Sequence, residues 1–268
     1  MIKVYDIVVE QNHFPDGTLL AKLNPYTERF LTDASNIDIT WHYENDAELF
    51  TLICIKKHLE KYFVKETCFN LFLPYVPHAR MDRVKNPDEL FTLKYFCEVI
   101  NSLHFDTVFV EDVHSNVTLA LLNNIVEVKP KDTIERVIDM CGEPVLFYPD
   151  EGAMKRYSTD LARPCAFGIK KRDWATGKIQ GLTLVNEELV KDKDVLIVDD
   201  ICSYGGTFLH SAKALKEAGA NNIYLYVTHC ETSVFDGEMI NSGLITGIYT
   251  TDSIFPVDKQ NDMIKIVR

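Results

Sequence analysis

Asp194-Val195-Leu196-Ile197-Val198-Asp199-Asp200-Ile201-Cys202-Ser203-Tyr204-Gly205-Gly206-Thr207 is the stretch that decides the fold. Its first five residues include a short apolar run that reads as a strand covered on both faces, as in a parallel sheet. Two acids close the run, and a turn with two glycines and hydroxyl residues follows. A helical pattern then covers Phe208 to Ala218, and Gly219 stands where a left-handed residue would stop it.

The chemistry of this stretch follows from its order. Ligands of open parallel sheets bind outside the carboxyl ends of the strands. Two adjacent carboxylates there repel each other unless something uses them, and two acceptors suit a vicinal diol such as the 2′- and 3′-hydroxyls of ribose. Glycines let the backbone approach an anion, and the N–H groups opening a helix point at it. Asp199 and Asp200 are therefore read as the sugar contacts, and Ser203, Tyr204, Gly205, Gly206 and Thr207 as the cradle of a 5-phosphate.

Outward from this segment the same alternation continues. Strands are expected at residues 69–75, 107–110, 144–148, 222–227 and 247–251, with helices at 46–62 and 87–103. Such alternation predicts an α/β fold. Val110-Glu111-Asp112-Val113-His114-Ser115 echoes Val198-Asp199-Asp200-Ile201-Cys202-Ser203 at the end of a strand. With 268 residues in hand, the echo suggests two related α/β halves, residues 1–132 and 133–268.

Composition narrows the partners. Lys plus Arg is 28 against 40 for Asp plus Glu, a net charge of −12, so no nucleic-acid or anionic-membrane surface is expected. No apolar run reaches a membrane span, and the start lacks a signal-peptide layout. Seven cysteines stand singly, without metal-type spacing, which suits reduced thiols and a cytoplasmic protein.

The stretch at 194–207 resembles the phosphoribosyl pyrophosphate motif shared by type I phosphoribosyltransferases and phosphoribosyl pyrophosphate synthetases (ribose-phosphate pyrophosphokinases). Four further segments resemble the synthetase family, in its order. Phe14-Pro15-Asp16-Gly17-Thr18 is similar to F-P-D-G-E, and Pro74-Tyr75-Val76-Pro77-His78-Ala79-Arg80-Met81-Asp82-Arg83 to P-Y-x-x-Y-A-R-Q-D-R. Asp112-Val113-His114-Ser115 is similar to D-L-H-S, and Pro149-Asp150-Glu151-Gly152-Ala153-Met154-Lys155-Arg156 to P-D-x-G-x-x-K-R. The resemblance spans about residues 14 to 253. It implies two type I phosphoribosyltransferase-like domains, each a mostly parallel sheet flanked by helices, with an ATP-binding first half and a ribose-phosphate-binding second half.

It also implies roles. Phe14 would stack on adenine, Asp16 would approach ATP, and Arg80, Asp82 and Arg83 would lie at its phosphates. His114 and Asp150 would lie beside the magnesium of Mg²⁺–ATP, with His114 also an ATP contact. Lys170 and Arg172 match a K-x-R element at the mouth of a loop closing over the phosphates, with Lys171 the alternative lysine. Lys170, Arg172 and His114 are thus the expected catalytic groups. The implied reaction moves the β,γ-diphosphate of ATP to the anomeric hydroxyl of a ribose 5-phosphate group, with AMP leaving, in a homo-oligomer.

Each assignment has a plainer counterpart: Phe14 a core aromatic, Arg80 an ion-pair member, His114 a core or capping residue, Asp150 a helix N-cap, the 170–172 cations a solvated face. Three departures from the family pattern stand out: Thr18 for an acid, Met81 for glutamine and Tyr204 for a phosphate-contacting threonine. The segment ahead of Phe14 is also shorter than the family pattern. Tyr204 either stacks on an acceptor larger than ribose 5-phosphate, such as ADP-ribose, or faces solvent or a neighbour. A type I phosphoribosyltransferase and a catalytically silent regulatory relative remain the competing readings.

Overall fold

The computed structural model describes residues 1–25, 27, 35–61, 67–172 and 179–268, excluding the side chains of 170–172 and 179–180. It divides into two compact units, Met1–Lys129 and Pro130–Arg268. The division falls just ahead of helix α4, Lys131–Met140, whereas a cut at 132/133 would pass through that helix's first turn.

In the first unit, strands β1 (Ile2–Val4), β2 (Ile7–Val8), β5 (Asn36–Trp41), β6 (Cys68–Leu73), β7 (Thr107–Glu111) and β8 (Ile125–Val128) form one sheet in the order β2-β1-β5-β6-β7-β8. The four strands β5 to β8 are parallel, while β1 is antiparallel to both its neighbours. A separate hairpin pairs β3 (Glu10–His13) with β4 (Leu19–Lys22). Helices α1 (Ala47–Leu59), α2 (Thr92–Ser102) and α3 (Asn116–Leu121) connect successive parallel strands. Right-handed crossovers that always step in the same direction lay their helices on one face. The burial of β5, β6 and β7 alternates accordingly: Ile37, Ile39, Trp41, Leu71, Leu73, Val108 and Val110 are buried, and the residues between them are less so.

The second unit is wound differently. Its seven strands run β11-β10-β9-β12-β13-β14-β15, from β9 (Val145–Tyr148), β10 (Cys165–Arg172), β11 (Ile179–Val185), β12 (Val195–Cys202), β13 (Ile223–Cys230), β14 (Gly247–Thr250) and β15 (Ile264–Ile266). All neighbours are parallel except the β10–β11 hairpin. From β9 the chain goes through α5 (Glu151–Leu161) to one side of the sheet. From β12 it goes through α6 (Gly206–Glu217) to the other. Helices consequently cover both faces, and two apolar clusters form: Val195, Ile197, Leu225 and Val227 contribute to one, Leu196, Val198 and Tyr226 to the other. This explains why β12 and β13 read as continuous apolar runs rather than alternating ones.

Gly219 has φ +90° and ends α6 as expected. The Gly219 N–H donates to Lys216 O at 3.0 Å and the Ala220 N–H to Leu215 O at 3.0 Å, the paired bonds of a Schellman motif. All seven cysteines are free thiols. Among the described residues no helix is long and apolar enough to cross a membrane.

Candidate functional site

The reversal of winding between β9 and β12 opens a crevice beyond their carboxyl ends, the place where α/β sheets receive ligands. Asp150 follows β9, and Asp199 and Asp200 lie within β12, toward its carboxyl end at Cys202. Asp200 is only 4% exposed, and Arg156 Nη1, on α5, reaches its Oδ2 at 3.1 Å. Burial pushes the Asp199 carboxyl well above the usual carboxylate range, with repulsion from Asp200 and then Asp150 adding to it. The Asp200 N–H donates to Asp199 Oδ1 at 3.0 Å and opposes that rise. Three acids and one arginine thus hold a crowded, acid-rich centre whose excess charge suits hydroxyl donors.

Asp150 is indeed a helix N-cap: its Oδ1 accepts from the Ala153 N–H at 3.1 Å. The cap is tight, since a Cβ on Gly152 would stand 3.1 Å from the same oxygen. Capping fixes the carboxylate at the mouth of the crevice.

Beyond the acids the chain turns at Ser203–Gly205 into α6. Gly205 takes φ +79° as the residue preceding the helix, a conformation that glycine adopts without strain. The first N–H groups of α6 have no partner within the helix and face outward with its positive dipole end. Tyr204 is 61% exposed, so its ring stands off the protein rather than in the core.

Lys170, Lys171 and Arg172 belong, by backbone, to the end of β10. They face Leu182, Gly181 and Ile179 of β11, with a register shift between Lys171 and Arg172. The K-x-R match places this segment at the mouth of a loop, and the backbone of β10 ends there at Arg172; residues 173–178 and the three side chains lie outside the described part. Gly168, earlier in β10, has a structural reason of its own: a Cβ there would meet Pro149 O at 2.9 Å and Leu182 Cδ1 at 2.7 Å.

In the first unit, the parallel neighbours β6 and β7 send their following loops to the same end of the sheet. Arg80, exposed, lies in a turn closed by the Met81 N–H donating to His78 O at 2.8 Å. Asp82 and Arg83 follow, with Arg83 Nε 3.7 Å from Asp82 Oδ1. His114 is half-buried after β7, next to Ser115, whose hydroxyl caps α3 by accepting from the Val117 N–H. Just ahead, the buried Asp112 holds φ +39°, a strained backbone for a non-glycine residue.

Phe14 and Asp16 sit at the tip of the β3–β4 hairpin. Pro15, Asp16 and Gly17 form its three-residue loop, with the Gly17 N–H donating to Phe14 O and Gly17 at φ +84°. Phe14 is 49% exposed, not a core aromatic. Thr18 gives its N–H and its hydroxyl to Asp16 Oδ1 at 3.0 and 2.7 Å. These bonds hold the Asp16 carboxyl below its ordinary range.

Three residues at the site have no role that the sequence alone assigns. Arg156 was part of a quoted motif but had no assigned role, because its partner Asp200 is far away in the chain. The segment behind the glycine turn was silent for the same reason: Gly237 and Met239 touch Tyr204 and Gly205 only through the fold.

Residues 154–234, from within α5 through β12, the glycine turn and α6, match the family model described as the phosphoribosyl transferase domain. The chain is a sequence relative of the ribose-phosphate pyrophosphokinases along most of its length. It is 28% identical over 226 residues to the ribose-phosphate pyrophosphokinase of Pyrococcus furiosus, covering 82% of this chain and 77% of that protein. It is 28% identical over 266 residues to that of Sulfurisphaera tokodaii, covering 95% and 87%. The solved phosphoribosylpyrophosphate synthetase of Mycobacterium smegmatis superposes with a TM-score of 0.74 over 97% of this chain and 85% of that one, at 16% identity. This likeness shows that the fold is shared.

Proposed function

We propose that this chain is a ribose-phosphate diphosphokinase of the cytoplasm, acting as a homo-oligomer. The observation that carries the reading is the acid pair Asp199–Asp200 at the β9/β12 reversal, running directly into left-handed Gly205 and the opening of α6. The names of its sequence relatives support it.

The second unit takes the ribosyl acceptor. Asp199 and Asp200 accept hydrogen bonds from the ring hydroxyls, and Ser203, Tyr204, Gly205, Gly206 and Thr207 hold the 5-phosphate. The C1 hydroxyl oxygen attacks the β-phosphorus of ATP, the bond bridging the α- and β-phosphates breaks, AMP leaves and the hydroxyl proton is released. Such chemistry depends on positioning and charge neutralisation. Lys170 and Arg172 are assigned the neutralising part. Phe14, Asp16, Arg80, Asp82, Arg83 and His114 are assigned to ATP.

Among the described residues no group of three or more His, Cys, Asp or Glu side chains could hold a metal ion. Magnesium keeps several waters and binds chiefly through phosphate oxygens and one or two carboxylates, and Asp150 offers one such carboxylate. We assign His114 and Asp150 as two candidate contacts for such an ion, each tested separately by its own substitution. When bound, magnesium draws charge from the transferring phosphates.

The acceptor is ribose 5-phosphate or a 5-substituted relative such as ADP-ribose. The exposed Tyr204 ring is available for stacking by the base of a larger acceptor and is equally placed to face solvent or a neighbour. The test is incubation with Mg–ATP and each acceptor, with products weighed by mass spectrometry. AMP together with a ribosyl 1-diphosphate supports the proposal. Turnover of ribose 5-phosphate alone removes the larger acceptor. Pyrophosphate release from a phosphoribosyl donor, without AMP, selects a phosphoribosyltransferase. Nucleotide binding without product selects a silent regulatory relative, the reading favoured by Thr18, Met81 and Tyr204.

A further inference from the structure

Behind the glycine turn runs the segment from Glu231 to Met239. It leaves β13, and its first N–H donates to Cys202 O, at the end of β12, at 2.8 Å. A short helical turn, Thr232–Asp236, follows. Val234 and Met239 are fully buried in the core and anchor the segment at its middle and end. Between these anchors the chain presses on the turn at two points. A Cβ built on Gly237 would stand 1.9 Å from the Tyr204 carbonyl oxygen and 2.8 Å from its carbonyl carbon. A Cβ on Gly205 would meet Met239 Cε, Sδ and Cβ at 2.7, 2.8 and 2.9 Å.

Both ends of the Tyr204–Gly205 peptide are therefore blocked from behind, one by backbone and one by a fully buried side chain. An anion cradle made of backbone N–H groups works only if those groups are already aimed, because each degree of freedom left to the turn must be frozen on binding. We infer that Glu231–Met239 is a brace that sets the shape of the glycine turn, with Gly237 and Met239 as positioning residues for phosphate binding. The brace rests on the reading of Ser203–Thr207 as the 5-phosphate site, and it adds a dependence on residues that never touch the ligand.

Gly237→Ala tests it directly. A Cβ essentially never stands closer than about 3 Å to another heavy atom, and here it would stand 1.9 Å from the Tyr204 oxygen, so the added methyl must drive the Tyr204 carbonyl or the brace back by more than about 1 Å. A displacement of that size costs on the order of 10²-fold in a positioned reaction. The full chain is titrated with ribose 5-phosphate by calorimetry, then assayed with Mg–ATP, alongside the unaltered protein and a circular dichroism melt.

The expected result is binding of ribose 5-phosphate weakened at least tenfold in Gly237→Ala, with its KM raised similarly and the KM for Mg–ATP within twofold. Met239→Ala, which withdraws the prop instead of pushing on the turn, is expected to weaken ribose 5-phosphate binding in the same selective way. Met239→Leu, which keeps the bulk, is expected to restore it to within threefold. With two variants of opposite sense, the test survives misfolding of either one. Unchanged ribose 5-phosphate binding in a folded Gly237→Ala or Met239→Ala, or an equal rise in both KM values, overturns the brace and leaves the phosphate-site reading intact. Absence of binding of both ribose 5-phosphate and ADP-ribose to the unaltered protein overturns the phosphate-site reading and the brace with it; where ADP-ribose alone binds, the same variants are titrated with it.

Discussion

Gly205 and Gly206 are adjacent in sequence, and the structure demands opposite behaviour of them. Gly205 has φ +79°, where a side chain costs about 1–2 kcal/mol. Its added Cβ would also lie 2.7 to 2.9 Å from three atoms of the fully buried Met239, and overpacking of that kind costs about 1–3 kcal/mol. Gly205→Ala should therefore destabilise the second unit by about 2–5 kcal/mol. Gly206 opens helix α6, and a Cβ on it would meet nothing within 4 Å. Gly206→Ala should change stability by less than about 1 kcal/mol, in the stabilising direction, as alanine replaces glycine in a helix. Urea unfolding followed by circular dichroism, read from the second unit's transition, measures both. A Gly205→Ala variant no less stable than Gly206→Ala would refute the argument, because chemistry and position along the chain are otherwise matched.

The other predictions concern buried charge and buried hydroxyls. Asp199→Asn should abolish ribose 5-phosphate binding yet raise stability at neutral pH. The folded protein holds the Asp199 proton above its unfolded affinity, so stability from this group is complete below about pH 4 and drains away as pH rises through the folded value. The asparagine variant's advantage should be absent below about pH 4, grow by up to about 1.4 kcal/mol per pH unit from there to the folded value, and level off above it; a pH-independent difference counts against it. Arg156→Met leaves Asp200 buried without its cation and should lower stability by about 2–3 kcal/mol in thermal melts, a loss that Asp200→Asn in the same chain partly restores. Thr118 Oγ1 and Tyr148 Oη are buried with no hydrogen-bond partner among the described residues. Thr118→Val and Tyr148→Phe should therefore each be neutral or stabilising by about 1 kcal/mol, and a loss beyond about 1 kcal/mol in either would point to a partner.

Much of the second unit was legible because its signals are local. The β12 run, the turn and α6 follow one another in sequence, and Gly219 ends the helix by a backbone rule that needs no tertiary contact. The β10–β11 hairpin escaped because Lys170-Lys171-Arg172 breaks the apolar pattern, although those residues pair as a strand. Strand β5 was missed for the opposite reason. Asn36-Ile37-Asp38-Ile39-Thr40-Trp41 alternates cleanly, but parallel strands were sought as continuous apolar runs, whereas in the first unit one sheet face stays partly open. Asp150, Asp199 and Asp200 could be read from motifs, but the Arg156 partnership and the pressure of Gly237 on Tyr204 join residues tens of positions apart, and no periodicity encodes them. The hairpin loop shows a signal with two meanings: Pro15-Asp16-Gly17 is a motif element and also the turn chemistry that a three-residue hairpin requires.

The opposite winding of the chain on either side of β9 and β12 has an evolutionary consequence. One wall of the crevice is furnished by Asp150 and its helix, the other by the β12 acids and the Tyr204 turn, and the segments that build them depart toward opposite margins of the sheet. Variation can therefore accumulate in one wall while the other is held constant. Substitutions at Tyr204 leave the helix cap across the seam undisturbed.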